Sequence, residues 1–291
     1  MPIYSFHEFN KLSSVQAKKE LHRCCGSDKW VELMMQSFPY KEEKELFVLV
    51  KDIWYQQCTH KDYLEAFAQH PEIGDKESLK KKFANTVEWA SREQSGVSRA
   101  SDETIEALTQ CNSEYLQKNG FIYIVCATDK SASEMLNLLN ERLTHSRDDE
   151  VNIARSEHFK ISLIRMNKLI ELSDSIWTQP SQITTHVLDT SKGLPGKGLC
   201  IRLNKRINEN YQTMAIGVTN NDGRITDLLP PGVKIYSGHY QMSFDTGAYF
   251  ATNNIKGFYP KVDIDFSTFD ETHYHVPLLI NPFGYSTYRG S

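Results

Sequence analysis

The feature that most constrains this chain is a change of hydrophobic period near residue 172. Upstream, apolar residues recur at helical spacing: Leu46, Leu49, Val50, Ile53 and Trp54, then Leu79, Phe83 and Val87, then Met135, Leu136, Leu139 and Leu143. Intervals of three and four place such side chains on one helix face. Downstream the period is two. Leu199, Ile201 and Leu203 alternate with Cys200, Arg202 and Asn204; Tyr240, Met242 and Phe244 alternate likewise, and so do Val262, Ile264 and Phe266. Turn signals at Gly196, Asn221-Asp222-Gly223, Pro230-Pro231-Gly232 and Gly257 separate these runs, the pattern of a sandwich or barrel. Helices followed by strands favour two separate domains.

The expected architecture is an all-α, bundle-like domain over 1–172, a short linker over 173–182 and a β-sandwich over 183–291. The apolar run Phe121–Cys126 fits either a buried strand or the start of a buried helix. The interval Asn204–Gly217 resists assignment as strand. Arg202, Lys192 and Lys197 read as solvated surface charges.

A net charge of −4 gives no electrostatic case for nucleic acid or an anionic membrane, and no run reaches the length of a membrane-spanning helix. Met1–Phe9 has no basic stretch followed by an apolar core, and the last residues are no peroxisomal or reticulum signal. Six cysteines, Cys24, Cys25, Cys58, Cys111, Cys126 and Cys200, show no metal spacing and read as reduced thiols. The expectation is a cytoplasmic protein without cofactor or metal.

Five segments of the second half are distinctive: Thr185-His186-Val187-Leu188-Asp189, Asn221-Asp222-Gly223-Arg224, Phe244-Asp245-Thr246, His273-Tyr274-His275-Val276-Pro277-Leu278-Leu279, and Tyr285-Ser286-Thr287-Tyr288-Arg289-Gly290-Ser291. Asn-Asp-Gly is a type I′ turn signal, so Arg224 stands at a strand start. A histidine suits proton transfer near neutrality, and a nearby arginine supplies a fixed cation for a developing oxyanion. In order and spacing, the five segments resemble the 5-hydroxyisourate hydrolases of the transthyretin family, from about Ile183 to the last residue. The resemblance implies a transthyretin-like sandwich and assigns the chemistry to His186, Arg224, His275 and Ser291, with Tyr288, Arg289 and Gly290 at the substrate. His186 would be the general base, His275 would polarise or protonate, and Arg224 would stabilise charge. The bland alternative is a pair of ordinary strand histidines.

In the first half, Cys24-Cys25-Gly26-Ser27, His70-Pro71-Glu72-Ile73-Gly74, Ser91-Arg92-Glu93-Gln94, Asn119-Gly120-Phe121 and Lys160-Ile161 leading to Arg165-Met166 follow in order. His70 precedes a proline and therefore sits at a helix end. Glu93 and Arg165 fall near apolar helical stripes, where a charge is costly unless paired or used. A Glu93–Arg165 ion pair serving structure alone is the competing reading. The order resembles the 2-oxo-4-hydroxy-4-carboxy-5-ureidoimidazoline (OHCU) decarboxylases, over about Phe6 to Leu172. It implies catalytic roles for His70, Glu93 and Arg165. Pro71, Ser91, Gln94, Ile122, Tyr123, Ile124, Val125 and Cys126 would line the substrate pocket. The charged stretch Lys76–Lys82 looks like a small insertion.

Together the resemblances imply two consecutive steps of urate breakdown, on small-molecule substrates, ending in S-allantoin. They also imply a homo-oligomer, a tetramer through the second domain with dimer contacts through the first. The competing class is a non-catalytic receptor-interaction scaffold.

Overall fold

The computed structural model describes residues 2–70, 102–127, 130–172, 177 and 181–290. Pro71, Ser91, Glu93, Gln94, Ser291, the Leu79–Val87 helical pattern and the Lys76–Lys82 stretch lie outside the described residues.

The first half is helical. After a two-residue strand β1 (Tyr4–Ser5) come α1 (Phe6–Phe9), α2 (Ser14–Cys25), α3 (Asp28–Met35) and α4 (Glu43–Asp52), which runs into a π-helical turn at Ile53–Gln57. Next are α5 (His60–Ala68), α6 (Asp102–Asn119), α7 (Ala132–Arg142) and α8 (Arg147–Leu169). The starts are written locally. Ser5 with Glu8, Ser13 with Gln16, Thr59 with Asp62 and Ser131 with Glu134 form capping boxes, each satisfying amides that the first turn leaves free. Gly26, at φ 80°, ends α2 in the left-handed conformation that favours glycine, and Ser27 caps α3 at once. Helix α8 is the spine: Val151, Ile153, Ala154, Phe159, Leu163 and Met166 are buried along its length, packed with Trp30, Trp54 and Phe67. The half is not purely helical, because β1 pairs in parallel with β2 (Ile170–Glu171).

Phe121–Cys126 is neither strand nor helix but buried irregular chain. Side chains take its backbone groups instead. Arg142 Nη1 donates to the Ile124 carbonyl at 2.6 Å, and the Cys126 amide donates to Glu157 Oε2 at 2.8 Å. A buried segment whose polar backbone is satisfied this way needs no ladder.

The second half is a two-sheet sandwich. Central β3 (Ile183–Asp189) pairs with β10 (Tyr274–His275) and β11 (Leu278–Asn281), and β11 pairs with β12 (Gly284–Thr287); β4 (Leu194–Pro195) and β7 (Arg224–Ile225) also pair with β3. The facing sheet runs β6 (Asn210–Val218), β5 (Cys200–Ile207), β8 (Gly238–Phe244), β9 (Val262–Thr268), all antiparallel. A short helix, α9 (Thr246–Thr252), follows β8. Ile183, Val187, Ile201, Leu203, Tyr240, Met242, Phe244, Leu278 and Ile280 fill the space between the sheets. The interval Asn204–Gly217 is strand after all: β5 and β6 form a hairpin whose register shifts between Leu203 and Asn204 and which turns at Asn208, φ 57°.

The halves dock through α7 and α8 against β5 and β6. Arg202 is no solvated charge: it pairs with Glu141 of α7, because β5 turns it toward that helix. Of the linker residues, Trp177 packs on Phe47 at 5.6 Å in the helical core. Ser181 and Gln182 are buried, Gln182 bonding to the Asp270 and Thr272 carbonyls. Among the described residues no helix is long and apolar enough to cross a membrane.

Candidate active sites

Strand β3 has one face in the core, with Ile183, Thr185, Val187 and Asp189 buried, and sends Thr184, His186 and Leu188 outward. Register then composes the site. His186 stands opposite Arg224 of β7, and Thr184 stands beside His275 of β10. Directly paired residues share a face, so His186, Arg224 and His275 meet across three strands, though they are far apart in sequence. Burial is the first cause that holds His186 below the ordinary histidine range, and the Arg224 cation adds to it. Burial also lowers His275, followed by the charges of Arg224, His273 and His186. Both imidazoles are therefore tuned toward the neutral form, the form able to accept a proton.

The terminal segment closes against this face. The Gly290 amide donates to the His275 carbonyl at 3.0 Å, and a Cβ at Gly290 would collide with the His275 ring. Glycine is thus required there by close approach. Arg289 lies over the Tyr274 ring at 5.4 Å, and Tyr288 is 58% exposed.

The turn before Arg224 differs from the sequence expectation. Of its three residues only Gly223 has a positive φ, 69°, whereas a type I′ turn needs two. The Gly223 amide closes the turn on the Asn220 carbonyl at 2.9 Å, and Asn220 returns a bond from its amide to Arg224. Arg224 still opens its strand, so its placement is unaffected.

In the helical half, His70 follows the end of α5, as the proline after it requires. Its imidazole meets His158 of α8 edge-on, centroids 5.0 Å apart, and His158 stacks on Trp54 at 4.8 Å. Arg165, two turns beyond His158, donates from Nη1 to the Cys24 carbonyl at 3.3 Å. Burial first, and the Arg165 charge second, push the His70 pKa down to about 4. His70 Nε2 is buried without a hydrogen-bond partner among the described residues. A buried imidazole nitrogen left open in this way is available to a ligand.

The structure thus brings His70 and Arg165 together, and separately His186, Arg224, His275 and Gly290, while the Arg289 side chain lies on the Tyr274 ring. Ile122, Tyr123, Ile124, Val125 and Cys126 form one segment whose Ile124 carbonyl and Cys126 amide are already engaged by Arg142 and Glu157. Sequence reasoning did not single out His158 or Thr184, and it quoted His273 within a segment without giving it a role. His158 carried a signal, a seven-residue interval to Arg165 that puts both on one helix face.

Comparison with known proteins gives a match for each half. The OHCU decarboxylase family model matches residues 10–167, and the HIUase/transthyretin family model matches residues 183–290. The uric acid degradation bifunctional protein TTL of Arabidopsis thaliana is 31% identical over 92% of this chain and 96% of its own length. The 5-hydroxyisourate hydrolase of Mus musculus is 45% identical over 39% of this chain and 98% of its own. A solved (S)-allantoin synthase aligns over 99% of both chains at 25% identity, with a TM-score of 0.46.

Proposed function

The chain belongs to the OHCU decarboxylase family and, through its second half, to the HIUase/transthyretin family, and from that premise we propose that it carries out two consecutive steps of urate degradation. The sheet half hydrolyses 5-hydroxyisourate to OHCU. The helical half decarboxylates OHCU to allantoin, the S enantiomer. The observation that carries the first assignment is the set His186, Arg224 and His275 on one outward face of three paired strands.

For ring opening, His186 takes a proton from the attacking water. Arg224, paired opposite it, stabilises the oxyanion formed at the ring carbonyl. His275 returns a proton to the departing ring nitrogen, and the Tyr288-Arg289-Gly290-Ser291 end borders the substrate. For decarboxylation, Arg165 orients the anionic substrate and its imide system accepts the electrons released with CO2. Glu93 and Gln94 hold the ureido and ring groups, and Ser91 and Pro71 also bind the substrate. His70, neutral at rest, transfers the proton that fixes the product's handedness, taking one at its second ring nitrogen as it gives one up. The backbone from Ile122 to Cys126 lines this pocket. A domain boundary within 173–182, a cytoplasmic setting and independence of any cofactor belong to the same reading.

We assign the assembly to a homo-oligomer, tetrameric through the sheet half with dimer contacts through the helical half. Phe283, Tyr285 and Tyr288, all exposed on the β11–β12 hairpin and the segment after it, support an interface through this half.

The test is to supply urate and urate oxidase and follow optical rotation. Rapid, single-handed allantoin is expected. Racemic product at the rate of the blank would instead support the non-catalytic scaffold.

A further inference from the structure

Behind His275 lies a chain of groups that the hydrolase mechanism does not use. Thr184 Oγ1 is 2.9 Å from His275 Nδ1 and 2.8 Å from His273 Nε2. The two rings are nearly parallel, 17° apart, with centroids at 6.3 Å. Thr184 is held there by the sheet itself, since it is the register partner of His275 on the outward face of β3. A hydroxyl carries one hydrogen, so Thr184 can donate to one imidazole only, and the other ring must donate to it. The protonation of one histidine therefore dictates that of the other. His273 is exposed and His275 is half-buried, so the chain leads from the site to solvent.

Resting on the hydrolase reading above, we propose that Thr184 and His273 form a proton relay to His275, with Thr184 fixing its tautomer and His273 exchanging protons with solvent. With Nδ1 bound to Thr184, His275 presents Nε2 to the substrate. In the donor state His273 carries protons on both nitrogens and donates Nε2–H to Thr184 Oγ1. Thr184 donates its hydrogen to His275 Nδ1, and His275 holds a proton on Nε2. When Nε2 gives that proton to the departing ring nitrogen, the Thr184 hydrogen moves to His275 Nδ1. The His273 Nε2 hydrogen moves to Thr184 Oγ1. His273 goes from cation to neutral, Thr184 and His275 stay neutral, and one proton has reached the substrate nitrogen. A proton returning to His275 Nε2 drives the same shifts backwards. Without the relay, His275 would have to be protonated on both nitrogens before it could donate, a form that burial and the nearby Arg224 charge disfavour.

The charged and titratable groups facing His275 are Arg224 on β7, His186 on β3 and His273 just before β10. The test uses the full chain, with hydroxyisourate loss followed from pH 5 to 9. Thr184→Val keeps the side-chain volume and removes the hydroxyl. It should lower kcat by about tenfold or more with KM changed by less than about twofold, and Thr184→Ser should restore kcat to within about threefold. His273→Phe keeps a ring but no nitrogen, and its loss of kcat should be rescued by added imidazole. OHCU decarboxylation by the same preparations should stay at the wild-type rate, which reports a correctly folded chain. Wild-type kcat and pH profile in Thr184→Val, or a Thr184→Ser as impaired as Thr184→Val, would overturn the relay. A wild-type chain no faster than spontaneous hydrolysis would overturn the hydrolase reading itself.

Discussion

At the scale of single residues, environment decides what the candidate groups can do. His70 is an ordinary histidine in sequence. In the fold, burial and the Arg165 cation depress its pKa to about 4. It is therefore neutral across the physiological range, and its protonated form gains ground only as pH falls toward that value. The acidic limb of kcat/KM for decarboxylation, which reports the free enzyme, should lie well below pH 6.5; a limb at 6.5 or above would show that His70 is not the titrating group. Gly290 makes the opposite point, that absence of a side chain is itself a requirement. Gly290→Ala should cut hydroxyisourate turnover by about tenfold or more, as misplacement of a catalytic group does, because the new methyl meets the His275 ring. Decarboxylation should be untouched. A variant with both activities at wild-type levels would refute the tight closure.

At the scale of elements, the sequence reading succeeded where burial was one-sided. Helix α7 and strands β8 and β9 each have a core face and a solvent face, so their period appears in the residues. It failed where the backbone was satisfied by something other than a regular ladder. Phe121–Cys126 is apolar enough for a strand, yet Arg142 and Glu157 hold it as irregular chain. The polar β5–β6 hairpin failed differently. Lys205 to Gln212 is mostly exposed, so no alternation marks it, and the hydrogen-bond ladder alone makes it strand. Arg142 is the key to the irregular segment. It is 1% exposed, bonds Glu150 Oε2 at 2.8 Å, and lies over the Tyr123 ring at 4.6 Å. Arg142→Met takes from buried Glu150 its permanent cation and leaves His145 as its remaining ion-pair partner. It should cost about 3–5 kcal/mol in denaturant unfolding, the usual effect of breaking a buried pair. It should also impair decarboxylation before hydrolysis. A loss below 1 kcal/mol would mean that the segment is held by packing alone.

At the scale of the whole molecule, the two halves share charged contacts of unequal weight. Lys160 Nζ lies 2.7 Å from Glu157 and 3.5 Å from Asp227 of the sheet half, with Lys160 and Glu157 both buried. Glu157 is also the acceptor for the Cys126 amide. Lys160→Met should therefore destabilise the chain by about 3–5 kcal/mol. Arg202→Ala breaks a partly exposed pair with Glu141 and should cost about 1 kcal/mol or less. Equal costs in thermal or denaturant unfolding would contradict this ranking.

The residues alone determined the class of each half, because amphipathic period is a local property. They also determined which residue types were available for chemistry, and which family each half resembles. Only the tertiary structure decided which groups meet. His186, Arg224 and His275 converge through β-sheet register, which no local pattern encodes. Thr184 and His273 became visible only once β10 lay beside β3. His158 joined His70 only when α5 and α8 packed. Arg202 became an ion-pair partner because β5 faces α7. Proximity between distant residues is set by packing, and packing depends on the whole chain at once.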